Sequence, residues 1–239
     1  MTASSLSRSA LSESLGIARR RLAKALAEAG RPDEDAQLLA VSKTKPAAMI
    51  RDAWHLEQRD FGENYLQEAL AKQAELADLT GIVWHFIGPL QSNKTREVAE
   101  HFAWVHSVDR EKIARRLSDQ RPEALGPLNI CLQVNISDEP NKSGVNLAEL
   151  PTLAEAVLAM PALRLRGLMA IPAPADSFDA QRRPFARLRE ALEALQERFP
   201  EAPLDTLSMG MSGDLEAAVL EGATLVRLGT AIFGERNTR

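Results

Sequence analysis

The feature that most constrains the fold is a regular alternation of short apolar runs with amphipathic segments along residues 38–232. The short runs are typical of buried strands, and the longer segments carry apolar residues at helical spacing. About eight strand–helix units follow one another, which is the count of a (β/α)8 barrel, the TIM barrel. An open doubly wound sheet is the alternative, but it usually has fewer strands and a glycine-rich first turn. We therefore predict an α/β barrel whose last strand covers residues 224–232.

One further helix is predicted ahead of the barrel, over residues 6–30. Leu11, Leu15 and Leu22 recur at helical spacing, and Gly30 marks the end of the helix. No strand precedes this helix, so we expect residues 1–31 to pack on the barrel as an addition to it. No linker divides the chain, and residues 1–239 are predicted to form a single domain.

Composition excludes several classes of protein. The formal net charge of −4 gives no reason to expect a nucleic acid partner. No apolar run reaches the roughly 20 residues that cross a bilayer, and the first residues lack the apolar core of a signal peptide. The single cysteine, Cys131, lies in an apolar run and is expected to fill the core. We therefore expect a cytoplasmic protein without a membrane partner. The four histidines lack the spacing of metal ligands, so no metal site is expected.

Lys43 is the first candidate for chemistry. It follows the apolar run 38–41 directly, at the point where a buried strand gives way to a loop before Pro46. In parallel α/β proteins, catalytic and binding residues gather at this end of the strands. A lysine at the edge of an apolar interior loses its proton more easily and can attack an aldehyde. A solvated lysine that caps the strand is the alternative.

A candidate phosphate site lies near the other end of the chain. The segment 208–214 is rich in glycine and serine and runs from a predicted strand into a helix, where backbone N–H groups can approach an anion. Ser212 is placed either as the helix N-cap or as a phosphate ligand. Gly229 and Thr230 add an N–H group and a hydroxyl, and barrels frequently bind phosphate between the loops after strands seven and eight. An N-cap with a tight turn is the alternative.

Arg227 stands inside the apolar run of the last strand, so it needs either a carboxylate partner or a ligand. A nucleophilic lysine and a phosphate site in one barrel indicate either a Schiff-base aldolase or a protein that holds pyridoxal 5′-phosphate (PLP).

Six segments together closely resemble the PLP homeostasis protein family, whose members are similar to the N-terminal barrel domain of alanine racemase. The resemblance extends from Leu38 to Gly234, with the segments in the family's order and spacing. The segments are Ala40-Val41-Ser42-Lys43-Thr44-Lys45, Phe61-Gly62-Glu63-Asn64-Tyr65, the stretch from Trp84-His85-Phe86 to Gln91-Ser92-Asn93-Lys94, Gly167-Leu168-Met169, Ser208-Met209-Gly210-Met211-Ser212, and the stretch from Arg227-Leu228-Gly229-Thr230 to Gly234.

The resemblance implies a site for every part of PLP. It implies that Lys43 holds the aldehyde as a Schiff base and that Arg227 faces the pyridine nitrogen. The phosphate would be held by Met211, Ser212, Gly229 and Thr230. Three further residues are implied around the ligand: Asn64 near the ring, Lys142 on a loop at the mouth, and Lys45 as a second candidate acceptor for the aldehyde.

The resemblance also implies a carrier of PLP rather than an enzyme. A charged arginine at the pyridine nitrogen keeps that nitrogen unprotonated, which makes the ring a poor electron sink. Racemases compensate with a tyrosine from a separate β domain. This chain ends at Arg239, its only tyrosine is Tyr65, and Ile171 stands where the racemase has a histidine on the ring. We therefore expect binding, buffering and delivery of PLP without efficient turnover.

Function, partners and oligomeric state stay open at this point. For the function, a racemase-like PLP enzyme is the main alternative. A metal- or nucleotide-dependent barrel protein is the least supported alternative, because its motifs are missing. The partners of a carrier would be PLP and PLP-dependent apoenzymes. Without a β domain the usual racemase dimer contacts are absent, so a monomer is expected.

Overall fold

The first helix of the computed structural model is separate from the repeating units. The structure describes residues 6–235, so the ends of the predicted single domain, 1–5 and 236–239, lie outside it. Helix α1 (Arg8–Glu28) begins at Ser7, whose hydroxyl accepts a hydrogen bond of 3.2 Å from the N–H of Ala10. Its buried face, which includes Leu11 and Leu15, packs on the last two helices of the chain. The helix is thus the predicted addition to the barrel.

Eight parallel strands form a closed barrel in which each strand pairs with the next and β1 pairs with β8. This confirms the predicted fold class. The strands are β1 (Gln37–Val41), β2 (Asp60–Glu63), β3 (Val83–Phe86), β4 (Trp104–Val108), β5 (Leu128–Gln133), β6 (Leu163–Met169), β7 (Thr206–Ser208) and β8 (Leu225–Leu228).

Each strand is followed by a helix on the outside of the barrel. The helices bury one apolar face against the strands, which is the arrangement that their amphipathic sequences predict. They are α2 (Ala47–His55), α3 (Leu66–Glu75), α4 (Thr95–His101), α5 (Glu111–Gln120), α6 (Leu150–Leu158), α7 (Phe178–Arg198), α8 (Leu215–Leu220) and α9 (Thr230–Phe233).

The predicted extent of the last strand is wrong. Strand β8 ends at Leu228, and the apolar residues after it form the short helix α9 rather than more strand. The carbonyl of Gly229 accepts hydrogen bonds from the N–H groups of Ile232 and Phe233, at 3.0 and 2.9 Å. A short apolar run has no periodicity that separates a buried strand from a buried turn of helix. Thr230 therefore begins a helix at the carboxyl end of the barrel.

The barrel interior and the layer beneath the helices are closely packed with aliphatic residues and phenylalanine. Cys131 is fully buried among them, and burial raises the pKa of its thiol to about 12, which fits the predicted core role. A few polar side chains are also buried inside the barrel, and they matter for the site described next. Among residues 6–235, no helix is both long and apolar enough to cross a membrane.

Candidate functional site

A cavity of roughly 330 Å³ lies at the carboxyl ends of the strands, and most of the predicted site residues line it. Of the nine predicted residues, seven are in its wall and two, Lys45 and Lys142, are not. A larger groove of roughly 560 Å³ lies beside Leu163 at the opposite end of β6, but no lysine lines it. The wall of the smaller cavity consists of Val41, Lys43, Asn64, Ile87, Ile171, Met211, Ser212, Gly213, Arg227, Gly229 and Thr230.

The loop that carries Lys43 has an unusual backbone shape. Thr44, the next residue, has φ +66°, a left-handed conformation that is rare for a β-branched residue. Its N–H donates a hydrogen bond of 2.6 Å to the carboxylate of Glu68 on α3. Because such a conformation persists only where surrounding contacts enforce it, the shape of this loop depends on α3.

A largely buried cluster of charged side chains, Glu63, Glu68 and Lys72, contacts the same loop. The Lys72 ammonium donates to the carbonyl of Ser42 at 2.8 Å and to the carboxylate of Glu63 at 2.7 Å, and it also contacts Glu68. Glu63 is fully buried and accepts a further hydrogen bond of 2.7 Å from the hydroxyl of Ser42. Burial raises the pKa of the Glu63 carboxyl, although Lys72 acts in the opposite direction. Both neighbours of Lys43 in the chain are therefore fixed by one cluster.

Asn64 lines the cavity and carries a buried polar atom. Its Oδ1 is buried and has no hydrogen-bond partner among the residues that the structure describes. The backbone after β3 passes very close to it: a Cβ on Gly88 would lie only 2.8 Å from the Cα of Asn64. Glycine at position 88 thus permits the close approach that sets the position of Asn64. A buried amide oxygen without a partner is suited to receive a hydrogen bond from a bound ligand.

The turn after β7 forms the opposite wall of the cavity. Gly210 has φ +99°, which favours glycine, and its carbonyl accepts a hydrogen bond of 2.9 Å from the N–H of Arg227. The N-cap of α8 is Asp214, so Ser212 does not have the alternative role of N-cap that its sequence position allowed. The hydroxyls of Ser212 and Thr230 and the small residues beside them make this wall suitable for an anion.

Arg227 is almost completely buried and reaches the cavity from inside the barrel. Its guanidinium donates to the hydroxyl of Ser208 at 2.7 Å and to the carbonyl of Ala170 at 3.1 Å. These partners are neutral, in contrast to the carboxylate that was the structural alternative. Burial lowers the pKa of Arg227 to about 10, with Asp214 acting in the opposite direction. The guanidinium thus remains charged at neutral pH.

The two lysines outside the cavity have partners elsewhere. Lys45 donates a hydrogen bond of 2.6 Å to the carbonyl of Glu235. Lys142 forms an ion pair of 3.0 Å with Glu139 and is half exposed. The place of Lys142 at the mouth and the role of Lys45 as a second acceptor for the aldehyde remain predictions. Ile171 does line the cavity.

Two sets of polar residues, most of them buried, were not predicted from the sequence. One is the cluster of Glu63, Glu68 and Lys72, and the other is a row of polar side chains below Arg227 that includes His85 and His106. The only signal in the sequence was the presence of polar residues within or beside apolar strands. His85 and His106 are both buried. Within residues 6–235, no group of three His, Cys, Asp or Glu side chains is arranged to hold a metal ion.

Comparison with known proteins identifies close relatives. The family model for the alanine racemase N-terminal domain matches residues 17–237. A Pseudomonas aeruginosa protein named pyridoxal phosphate homeostasis protein is 62% identical over 229 residues, which cover 96% of this chain and 97% of that protein. The Escherichia coli K12 protein of the same name is 53% identical, with coverage of 95% and 97%.

Two solved structures have folds similar to that of this chain. PipY of Synechococcus elongatus, in a structure with PLP bound, is 42% identical, with a TM-score of 0.80 over 89% of this chain and 100% of PipY. Alanine racemase from Corynebacterium glutamicum has a TM-score of 0.72 over 97% of this chain and 62% of the racemase. Its sequence identity is only 18%, so it supports the fold alone.

Proposed function

This chain belongs to the alanine racemase N-terminal domain family and, within it, to the PLP homeostasis proteins, and from this we propose that it binds PLP and takes part in PLP homeostasis. The relatives cover nearly the whole chain, and one solved relative has PLP bound. The proposal covers binding, buffering and delivery of the cofactor.

The observation that carries the proposal is the convergence of three kinds of group on one cavity. Lys43 supplies an amine, Ser212 and Thr230 supply hydroxyls, and Arg227 supplies a buried cation. PLP needs an amine for its aldehyde, hydrogen-bond donors for its phosphate and a partner for its pyridine nitrogen. The donor set of the cavity fits all three parts of the molecule.

We assign each residue a part of the ligand. Lys43 forms the Schiff base, in which its amine nitrogen bonds to the aldehyde carbon and one water molecule leaves. Met211, Ser212, Gly229 and Thr230 hold the phosphate. Asn64 offers its buried amide oxygen beside the ring, and Arg227 faces the pyridine nitrogen.

The same residues favour a carrier over an enzyme. A guanidinium whose pKa stays near 10 does not give up its proton to a pyridine nitrogen at neutral pH. The ring then withdraws electrons weakly, so removal of a proton from a bound amino acid is not promoted. Tyr65 is half exposed and precedes α3, and Ile171 in the cavity wall cannot transfer a proton. We therefore propose that the chain has no efficient turnover reaction.

The remaining parts of the proposal concern the cell. The protein acts as a monomer in the cytoplasm and passes PLP to PLP-dependent apoenzymes. Light scattering after gel filtration measures the molecular mass and therefore tests whether the protein is a monomer. A dimer mass at micromolar protein concentration would contradict it.

The experiment that tests the proposal combines the visible spectrum with chemical trapping. Purified protein is incubated with PLP, reduced with borohydride and mapped by peptide mass. We expect an absorbance band and one modified residue, Lys43, with loss of both in Lys43→Ala. Lys24→Ala is the matched control, because Lys24 is exposed on α1 and its removal should leave the band unchanged.

A second measurement separates a carrier from a racemase. The PLP-loaded protein is incubated with amino acids in deuterated water, and deuterium at the α-carbon is measured. We expect no exchange above that of free PLP. Exchange at the rate of an enzyme would reject the carrier role. In the borohydride experiment, an adduct on a residue other than Lys43 would reject the proposed site.

A further inference from the structure

Five polar side chains form a continuous hydrogen-bonded row through the apolar interior of the barrel. Asp60 Oδ1 lies 2.8 Å from His85 Nε2, and His85 Nδ1 lies 2.9 Å from His106 Nε2. His106 Nδ1 lies 2.7 Å from Ser208 Oγ, which in turn lies 2.7 Å from a guanidinium nitrogen of Arg227. The row begins at the amino end of β2 and ends in the wall of the candidate cavity. Below it is called the polar row.

The row passes through the middle of the barrel rather than around it. His106 lies on β4 and Ser208 on β7, and these strands are three positions apart in the closed barrel. A direct side-chain contact between them can form only across the interior. His85, His106 and Ser208 are all buried, and Asp60 is one-quarter exposed at the opposite end of the barrel from the cavity.

The direction of every hydrogen bond in the row is determined by the two end groups. A guanidinium only donates, so Ser208 Oγ accepts from Arg227. An ionised carboxylate only accepts, so His85 donates from Nε2 to Asp60 and accepts on Nδ1. His106 must then donate from Nε2 to His85. A neutral His106 then accepts on Nδ1 from the O–H of Ser208, so all the protons point away from Arg227.

Both histidines are held neutral in this arrangement. Burial lowers the pKa of His85, and it lowers the pKa of His106 strongly, with the positive charge of Arg227 adding to the effect. A second proton on His106 would turn its Nδ1 from acceptor to donor and break the bond from Ser208. The groups between Asp60 and Arg227 in the row are therefore neutral.

We propose that Asp60, His85, His106 and Ser208 are positioning residues that fix the guanidinium of Arg227 at the pyridine nitrogen of PLP. Ser208 and the carbonyl of Ala170 hold two nitrogen atoms of one planar group, which sets the orientation of the plane. The anionic end of the row, Asp60, is connected through neutral groups to the cation that contacts the cofactor. This inference rests on the proposed PLP-binding function.

The first test uses the protein without PLP. Nitrogen-15 NMR of the histidine rings at neutral pH distinguishes the two neutral tautomers and the charged form. We expect both His85 and His106 to carry their proton on Nε2 only. A proton on Nδ1 of either ring, alone or as a second proton, would overturn the inference whether or not the protein binds PLP.

The second test uses the PLP-loaded protein and two pairs of variants. Ser208→Ala removes the hydroxyl between Arg227 and His106, and its control, Ser107→Ala, removes a buried hydroxyl that has no partner among the described residues. Asp60→Asn removes the charge at the far end. Its control, Asp33→Asn, removes an exposed charge from the surface groove that Asp33 and Asp60 both line. Thermal melting of all four checks that they fold.

We expect Ser208→Ala to raise the dissociation constant for PLP by about tenfold or more, since a hydrogen bond to a charged group is lost. It should also shift the absorbance maximum of the bound cofactor, which a loss of stability alone does not do. Asp60→Asn should shift the band in the same direction by a smaller amount.

The outcomes separate the two hypotheses. If the wild-type protein takes up no PLP at Lys43, the proposed function fails, and the NMR test still decides on the polar row. If the wild-type protein binds PLP but Ser208→Ala matches Ser107→Ala in affinity and spectrum, the inference on the row is overturned and the proposed function stands. If Ser208→Ala does not fold, the position of the band in Asp60→Asn decides: no shift relative to Asp33→Asn overturns the inference.

Discussion

The ammonium of Lys72 donates a hydrogen bond of 2.8 Å to the carbonyl of Ser42, the residue immediately before Lys43. The two residues are 30 positions apart in the chain, and both are buried. Through this bond α3 controls the backbone on which the candidate nucleophile stands. The same ammonium forms an ion pair with the buried carboxylate of Glu63. A single cation therefore stabilises both the loop that carries Lys43 and a charge inside the barrel.

Replacement of Lys72 by methionine is expected to lower the free energy of unfolding by about 3 kcal/mol, because it leaves Glu63 buried without a counter-ion. Urea unfolding followed by circular dichroism measures the change. The matched control is Lys24→Met, which breaks an exposed pair with Glu28 and should cost less than about 1 kcal/mol. Equal stability of the two variants would contradict the structural role of Lys72.

The Glu63 carboxyl is expected to make stability depend on pH. Burial raises its pKa above the ordinary value of 4.5, so the folded protein holds this proton more tightly than the unfolded chain does. Its contribution is therefore fully present at acidic pH and is lost as the pH rises through the raised pKa. We expect the stability of wild type relative to Glu63→Gln to fall as the pH rises from 4.5 to neutrality.

Unfolding curves at a series of pH values test this prediction. Glu28→Gln is the control, because Glu28 is mostly exposed and no such trend is expected for it. A rise in relative stability over the same range would mean that the ion pair with Lys72 outweighs the cost of burial.

Loss of the Thr230 hydroxyl is expected to weaken PLP binding. Thr230→Val keeps the shape of the side chain but removes a donor from the wall that we assign to the phosphate. A hydrogen bond to a charged group corresponds to a change of about tenfold in the dissociation constant. Fluorescence titration with PLP measures it, and Thr152→Val, at an exposed position on α6, serves as control. An unchanged affinity would remove Thr230 from the phosphate site.

A methyl group at position 88 is expected to disturb Asn64. In Gly88→Ala the new Cβ would lie 2.8 Å from the Cα of Asn64, so the backbone at the cavity wall must move. We expect a loss of about 1–3 kcal/mol in stability together with weaker PLP binding. In the control, Gly16→Ala on α1, the new Cβ meets only the flexible end of Arg20 and should stabilise the helix slightly. Wild-type affinity in Gly88→Ala would show that the position of Asn64 is not important for the ligand.

Much of the candidate site could be predicted because it consists of residues close to strand ends. Lys43 follows an apolar run directly, and Ser212 and Thr230 lie in glycine-containing turns near the carboxyl ends of the last two strands. In a parallel barrel all strand ends meet on one face, so local position in the chain is enough to bring such residues together. Lys45 lies two residues after Lys43 in the same loop, but its side chain donates to the carbonyl of Glu235. The local position of Lys45 in the chain did not indicate this contact.

The sequence by itself determined the number of strand–helix units, the extra first helix and the face on which polar residues gather, because hydrophobic periodicity and turn residues are local properties. Tertiary structure alone decided the two polar arrangements in the interior. His106 and Ser208 are 102 positions apart, and their contact exists only because the sheet closes on itself. Which buried polar groups pair with each other depends on which strands face one another across the barrel, and periodicity along the chain carries no such information.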